Sequence, residues 1–223
     1  MKNTIKLISL LLSLLLVASV MLTACSNNED DTKIEDTTAS TESNDTVAED
    51  LEAPDYSALD LSKYVKLGSY TGLVVDANGT TEGEAVFAAV VKKCEIIEYP
   101  ENALNYYLSQ TVELYKGYAK KANMSYDELM KALDLTEEDL ANEAKKLIKN
   151  DLVAAAIVKA EGIELTDDEK TNLFTKYASV YMDLYEYTME YVKENLSEEI
   201  YDSMQYDKLL EYLVKENLFI VED

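Results

Sequence analysis

The sequence contains no histidine, no arginine and no tryptophan among its 223 residues. Without histidine, the chain lacks the commonest general base and the commonest transition-metal ligand. Without arginine, it has no guanidinium group for bidentate binding of phosphate. Serine–histidine and cysteine–histidine catalytic arrangements are therefore excluded, and we expect neither a metal ion nor another cofactor.

Cysteine and glycine are almost as scarce. The only cysteines are Cys25 and Cys94, and the six glycines form no phosphate-binding loop. Because no histidine is available to activate its thiol, we interpret Cys94 as a small, half-buried apolar residue. Paired carboxylates are numerous, but in so acidic a chain their pairing says little about acid–base catalysis.

Positive charge is also in short supply. The chain has 20 lysines against 44 aspartates and glutamates, which gives a net charge of −24. Such a chain repels phosphate backbones, so nucleic acid is excluded as a partner. It also repels an anionic membrane surface, so attachment to a membrane requires a lipid anchor. Tyrosine, by contrast, is abundant at 17 residues, and its ring combines a large contact area with a polar tip.

The first 25 residues have the order of an export signal. Lys2 and Lys6 precede an apolar run over residues 7–22, as in a secretory signal peptide. The sequence LTAC at residues 22–25 then resembles the lipobox of bacterial lipoprotein precursors. We predict a signal peptide over residues 1–24, cleavage between Ala24 and Cys25, and acyl chains such as palmitate on Cys25. This places the protein on the extracytoplasmic side of the cell membrane; the alternative is an uncleaved membrane anchor.

Composition divides the remaining chain into three parts. Residues 25–55 are acidic and polar, which predicts a lipidated N-terminus followed by a disordered tether. Residues 56–98 read as a short linker with β-prone residues 70–75, a turn at Asn78-Gly79, a helix over 84–94, and a brief strand or extended stretch over 95–99. Residues 99–223 read as a helical domain.

Capping signals mark the helices of this third part. Pro100 opens a helix of about six turns. Ser125 with Glu128 predicts a capping box for a short helix, and Thr136 begins a longer one. That helix ends at Gly162, a residue type favoured after the last helical turn.

A further capping box, Thr166 with Glu169, opens the next helix. We predict that this helix runs without interruption through Val192. Ser197 begins the last helix. One apolar face of the helix after Thr166 carries the following residues: Leu173, Tyr177, Val180, Tyr181, Leu184, Thr188, Tyr191 and Val192.

Several segments resemble the trigger-factor type of ribosome-associated and secreted chaperone. They are LSKYVKLG at 61–68, YTGL at 70–73, EYPE at 98–101, residues 153–169 around AAAIVKAEGIELTDDE, and DKLLEYL at 207–213. The resemblance implies a mainly α fold: a multi-helix chaperone body of the trigger-factor C-terminal or SurA-like kind, with a small β-prone segment before it.

One departure from the family pattern limits what the resemblance implies. Family members usually insert a peptidyl-prolyl isomerase domain of the FK506-binding type between the first segments and EYPE. Such a domain needs roughly 80–100 residues, and only residues 76–98 lie there. We infer that the isomerase domain is missing and do not carry isomerase activity over.

The resemblance implies a membrane-anchored extracytoplasmic holdase that binds unfolded or nascent exported polypeptides and assists their folding and transport. Two alternatives are a peptidyl-prolyl isomerase on a reduced scaffold and a non-catalytic surface adaptor. The candidate client contacts are tyrosines: Tyr106, Tyr107, Tyr115, Tyr118, Tyr177, Tyr181, Tyr185, Tyr187 and Tyr191. Tyr185 and Tyr187 are favoured because they lie off the main apolar stripe, whereas Asp183, Glu186 and Glu190 are expected to be solvated.

Overall fold

A computed structural model describes residues 51–77 and 79–220. The predicted signal peptide, the lipidation site Cys25 and most of the predicted tether lie outside the described residues, as does Asn78 of the predicted turn. The described elements are, in chain order, β1 (Val65–Lys66), β2 (Val74–Val75), α1 (Glu82–Lys93), β3 (Glu95–Ile96), α2 (Glu101–Lys121), α3 (Tyr126–Ala132), α4 (Glu137–Glu161), α5 (Asp167–Tyr185), α6 (Met189–Asn195), α7 (Ser197–Lys215) and β4 (Leu218–Phe219). The predicted mainly α fold is confirmed.

Most helix starts follow the local capping chemistry. Ser125 and Thr166 immediately precede α3 and α5, and each side chain accepts a hydrogen bond from the backbone N–H three residues further on. The glutamate at that position accepts a hydrogen bond in return from the backbone N–H of the serine or threonine. Thr136 forms the same reciprocal pair with Asp139 at the start of α4. At the other end of α4, Gly162 adopts φ 63°, the left-handed conformation that favours glycine. These predicted boundaries are confirmed.

The continuous helix predicted through Val192 is wrong. Helix α5 ends at Tyr185, and Glu186 turns the backbone into the left-handed region at φ 55°. The chain then restarts as α6, because the Thr188 hydroxyl accepts a hydrogen bond from the Tyr191 N–H. A threonine side chain satisfies the free amides of a helix start, so it favours a new helix over continuation of the old one.

Six of the helices form two antiparallel hairpins. In the first arm, α2 packs along α4, and α3 lies at their connection and packs on α2. In the second arm, α5 packs along α7, and α6 lies at their connection and contacts both. Helices α4 and α7 contact each other, so the two arms meet along these helices.

The main core lies at the base of the arms. Helix α1 packs against α7 and α4 there, and its Val86 and Val90 are fully buried. The core comprises Leu61, Val65, Val75, Val86, Phe87, Val90, Cys94, Ala103, Ile148, Leu152, Val153, Ala156, Ile157, Ile163, Leu209 and Leu213. Cys94 is therefore an apolar residue, as predicted, but it is fully within the core rather than half-buried. The contributions from α4 and α7 come from their C-terminal parts, so the rest of each arm extends beyond this core.

Two pairs of short strands connect the segments before α1 and after α7 to the rest of the fold. β1 pairs antiparallel with β3, and β2 pairs parallel with β4. The buried Asn217 side chain supports the second pair: its Oδ1 accepts a hydrogen bond from the Leu73 N–H at 2.8 Å, and its Nδ2 donates to the Tyr70 carbonyl at 3.1 Å. At Gly68, a Cβ would lie 2.2 Å from the Lys93 carbonyl oxygen, so only glycine fits.

Candidate functional site

Helix α5 has two apolar faces, and only one of them is buried. Phe174, Ala178 and Tyr181 are buried against the second arm, and the Phe174 ring lies 5.7 Å from that of Tyr201 on α7. Of the face predicted from sequence, only Tyr181 and Val192 are buried. The prediction of one packing face along this segment therefore needs correction.

The other apolar face of α5 is open to solvent. Leu173, Val180 and Leu184 are 38%, 48% and 61% exposed, and Tyr185 follows at 37%. Leu173, Val180 and Leu184 lie seven and four residues apart, so they share one face of the helix. Together with Tyr185 at its C-terminal end, we call them the α5 ledge. A row of exposed large apolar residues is typical of a binding surface, because a soluble protein gains nothing from leaving them in water.

A cluster of stacked aromatic rings continues the ledge beyond the end of α5. The Tyr185 and Tyr187 rings lie 5.5 Å apart and nearly parallel, at 24°. The Tyr187 and Tyr191 rings lie 4.6 Å apart. The left-handed turn at Glu186 thus brings together three of the nine tyrosines that the sequence singled out. Their contact with a client stays a prediction.

The predicted tyrosines of the first arm lie elsewhere. Tyr106 is buried at 5% exposure, and its ring packs edge-on against Tyr107. Tyr107 donates a hydrogen bond to the carboxylate of Asp151 on α4. Tyr115 and Tyr118 form an edge-on pair with ring centroids 6.0 Å apart. These side chains are used largely in packing within the arm.

The remaining two, Tyr177 and Tyr181, belong to the second arm. Tyr181 is buried. The Tyr177 hydroxyl donates a hydrogen bond to Asp207 of α7, and burial followed by this hydrogen bond raises the pKa of the Tyr177 phenol. The nine tyrosines therefore do not form one surface; the structure separates them between two arms.

A shallow groove lies beside the ledge, between α5 and α7. Its volume is about 450 Å³, and Leu210 and Val214 provide its apolar part. Lys176 and Lys215 also line it, as does the Tyr177–Asp207 hydrogen bond. Glu211 completes the lining, so the groove adds two apolar contact points within a largely charged surround.

The surroundings of the ledge are acidic. Asp183, Glu186 and Glu190 are exposed, as predicted. Over residues 51–77 and 79–220, no group of three or more cysteine, aspartate or glutamate side chains is arranged to hold a metal ion. None of the helices described there is long and apolar enough to cross a membrane. The sequence analysis placed Leu173, Val180 and Leu184 on the predicted packing face and missed the stripe of Phe174 and Ala178 that is buried instead, because a pattern cannot say which of two stripes is covered.

Comparisons with known proteins relate this chain to one family by sequence. A family model described as bacterial trigger factor protein (TF) C-terminus matches residues 77–215. Trigger factors of Streptococcus pyogenes serotype M5 (strain Manfredo) and serotype M49 (strain NZ131) are 36% identical over 92 residues, which are 40% of this chain and 21% of each relative. That of serotype M4 (strain MGAS10750) is also 36% identical, over 20% of its length. The match thus spans about a fifth of these relatives. No solved structure matches.

Proposed function

This chain belongs to the family of bacterial trigger factor C-terminal domains, and we propose that it is a non-catalytic chaperone that holds unfolded exported polypeptides outside the membrane. The observation that carries the proposal is the exposed α5 ledge. In this proposal, acyl chains on Cys25 anchor the protein, and residues 26–50 separate the folded part from the membrane surface.

The ledge suits weak binding of extended chains. It offers separate apolar contact points along a helix rather than one deep pocket, so different side chains of a client can use the same surface. Tyr185, Tyr187 and Tyr191 add aromatic contact area that has a polar rim. The acidic exterior keeps the protein soluble while the ledge is empty.

The size of the expected contribution follows from the exposure. Fully burying a leucine or valine side chain contributes about 1.5–3 kcal/mol, and Leu184 and Val180 are 61% and 48% exposed. A client that covers both residues would therefore gain about 2 kcal/mol, or roughly a 30-fold change in dissociation constant.

Suppression of aggregation tests the holding activity. We expect the full chain, carrying Cys25→Ser to avoid lipidation, to suppress the aggregation of a chemically unfolded client at a few-fold molar excess. The double variant Val180→Ser/Leu184→Ser should require a far larger excess. A matched control is Val74→Ser/Leu218→Ser, which removes exposed apolar side chains of similar size from β2 and β4, at 68% and 65% exposure.

The outcomes distinguish a holdase from the alternative functions of this surface. Equal suppression by both double variants would show that the ledge has no special role. No suppression by the parent chain would remove the holdase proposal. In cells, photo-cross-linking from position 184 should give many partners; a single dominant product would instead favour the adaptor.

Anchoring needs a separate measurement. We expect the protein to partition with membranes and to incorporate a labelled fatty acid, and Cys25→Ser should abolish both. The matched control is Cys94→Ser, whose thiol is buried in the core. Membrane association that survives Cys25→Ser would favour the uncleaved anchor.

A further inference from the structure

Three tyrosine rings lie in a row where α5 ends and α6 begins. The ring centroids of Tyr185 and Tyr187 are 5.5 Å apart, and those of Tyr187 and Tyr191 are 4.6 Å apart. Glu186 turns the backbone at φ 55°, and the Thr188 hydroxyl accepts a hydrogen bond at the start of α6. These two local features bring the rings together. We call the three residues the tyrosine row.

The tyrosine row differs from other tyrosines of this fold in its hydroxyl groups. The Tyr70 hydroxyl donates a hydrogen bond to Glu161, and the Tyr177 hydroxyl donates one to Asp207. In the part of the chain that the structure describes, no group accepts a hydrogen bond from the three hydroxyls of the row. Tyr185 is 37% exposed, and the other two members are half-buried. The row therefore offers both aromatic surface and hydrogen-bond donors to a partner.

The length of the row matches one turn of a polyproline II helix. Because successive centroids are 5.5 Å and 4.6 Å apart, the outer two rings are at most about 10 Å apart. A polyproline II segment rises about 3.1 Å per residue with three residues per turn, so every third residue recurs on one side after about 9.3 Å. Two prolines at P-x-x-P spacing can therefore each contact a different ring of the row. The carbonyl groups of such a segment make no internal hydrogen bonds, so they can accept bonds from the tyrosine hydroxyls.

The charges beside the row favour a basic occupant. Asp183, Glu186 and Glu190 are exposed, and each lies within two residues of a tyrosine of the row. Lys193 is the one lysine over residues 183–193, so this stretch carries an excess of negative charge. A lysine or arginine next to the prolines complements these carboxylates, whereas an acidic segment is repelled.

We propose that the tyrosine row binds proline-rich, basic segments of client polypeptides in the polyproline II conformation. The proposal rests on the proposed function, because it names the kind of client segment that the second arm holds. Aromatic surfaces suit such segments, since a polyproline II helix is extended before it binds and loses little conformational entropy. The α5 ledge, which ends at Tyr185, then contacts apolar residues on one side of the prolines.

Binding of synthetic peptides to the full chain carrying Cys25→Ser tests the proposal. The probe is a short fluorescent peptide with prolines at P-x-x-P spacing and a lysine at each end. One matched peptide has alanine in place of each proline, and another has glutamate in place of each lysine. Fluorescence anisotropy gives the dissociation constants. Because one aromatic contact changes affinity by about 2- to 10-fold, two ring–proline contacts should favour the proline peptide over the alanine peptide by at least about fourfold. The glutamate peptide should bind more weakly than the lysine peptide.

Paired variants locate the binding site. Tyr185→Leu/Tyr187→Leu removes two rings of the row, so its affinity for the proline peptide should fall to that for the alanine peptide. The matched control, Tyr115→Leu/Tyr118→Leu, removes an edge-on pair with centroids 6.0 Å apart from α2 and should bind as the parent does. Circular dichroism checks the folding of each variant. Should the first variant fail to fold, Tyr185→Phe/Tyr187→Phe serves instead: it keeps the rings and removes two donors, so the affinity for the proline peptide should still fall.

The proposal is overturned if the parent chain binds the proline and alanine peptides equally, a comparison that needs no variant. A preference for proline that persists in a folded Tyr185→Leu/Tyr187→Leu variant would place the binding elsewhere and overturn it too. Equal affinity for the lysine and glutamate peptides would remove the basic requirement. The peptide assay uses no aggregating client. Peptide binding without suppression of aggregation would sink only the proposed function, and suppression without a preference for proline would sink only this inference.

Discussion

The clearest quantitative prediction concerns the stability of the Asp151→Asn variant. Asparagine has the shape of aspartate and can still accept the hydrogen bond of Tyr107, but it carries no charge. In the wild-type protein the pKa of Asp151 rises from 3.8 to about 6 on folding. At about 1.36 kcal/mol per pKa unit, ionised Asp151 costs up to about 3 kcal/mol of the free energy of unfolding.

The sign follows from the direction of that shift. A carboxyl whose pKa is higher in the folded state binds its proton more tightly there, so its contribution is present at low pH and is lost as pH rises through the folded value. The stability of Asp151→Asn relative to wild type should therefore be near zero at about pH 4 and grow until about pH 7. We expect the variant to be more stable by about 1–3 kcal/mol above that pH.

Urea denaturation followed by circular dichroism, at several pH values, provides the assay. Taking the difference between variant and wild type cancels the exposed carboxylates that titrate in both proteins. Glu138→Gln, on the exposed side of α4, should give a difference that is small and independent of pH. A variant that is less stable than wild type at neutral pH, or a constant difference between acid and neutral pH, would refute the reasoning.

Three further predictions use other features of the fold. Gly68→Ala should destabilise the protein strongly, because the added Cβ would lie 2.2 Å from a backbone oxygen. The matched change Gly117→Ala places its Cβ in open space within a helix, so it should stabilise the protein by about 0.5–1 kcal/mol in thermal unfolding. Asn217→Ala should cost about 1–3 kcal/mol in urea denaturation, since it orphans buried backbone groups, and the exposed control Asn142→Ala should change little. Hydrogen bonds from Lys208 of α7 and from Thr166 lower the pKa of Glu169 from 4.5 to about 2. Wild type should therefore lose more stability than Glu169→Gln as pH falls through that interval, measured by urea denaturation. An equal loss of stability in the two proteins would contradict this.

The elements that the sequence predicts well are those whose cause is local. A capping box such as Thr166 with Glu169 needs only four consecutive residues, and Gly162 needs only its own freedom to adopt a positive φ. The break after Tyr185 is also local, and Thr188 was its signal, but an apolar stripe that ran past it suggested one continuous helix.

The candidate site could be predicted only in part. Residue type and spacing indicated a tyrosine-rich helix after Thr166, and Tyr185 and Tyr187 do lie together. Spacing alone could not separate the buried stripe of Phe174 and Ala178 from the exposed stripe of Val180 and Leu184, since both recur at helical period. That choice depends on which face α7 covers.

Absent residue types and local signals therefore determined much about this protein. The lack of histidine and arginine excluded most catalytic sites, and capping and periodicity placed nearly all of the helices. Tertiary structure alone decided which apolar face stays open, which strands pair across the chain, and that Tyr107 donates a hydrogen bond to Asp151. The physical reason is distance along the chain: these contacts join residues dozens of positions apart, and no local preference of the backbone encodes them.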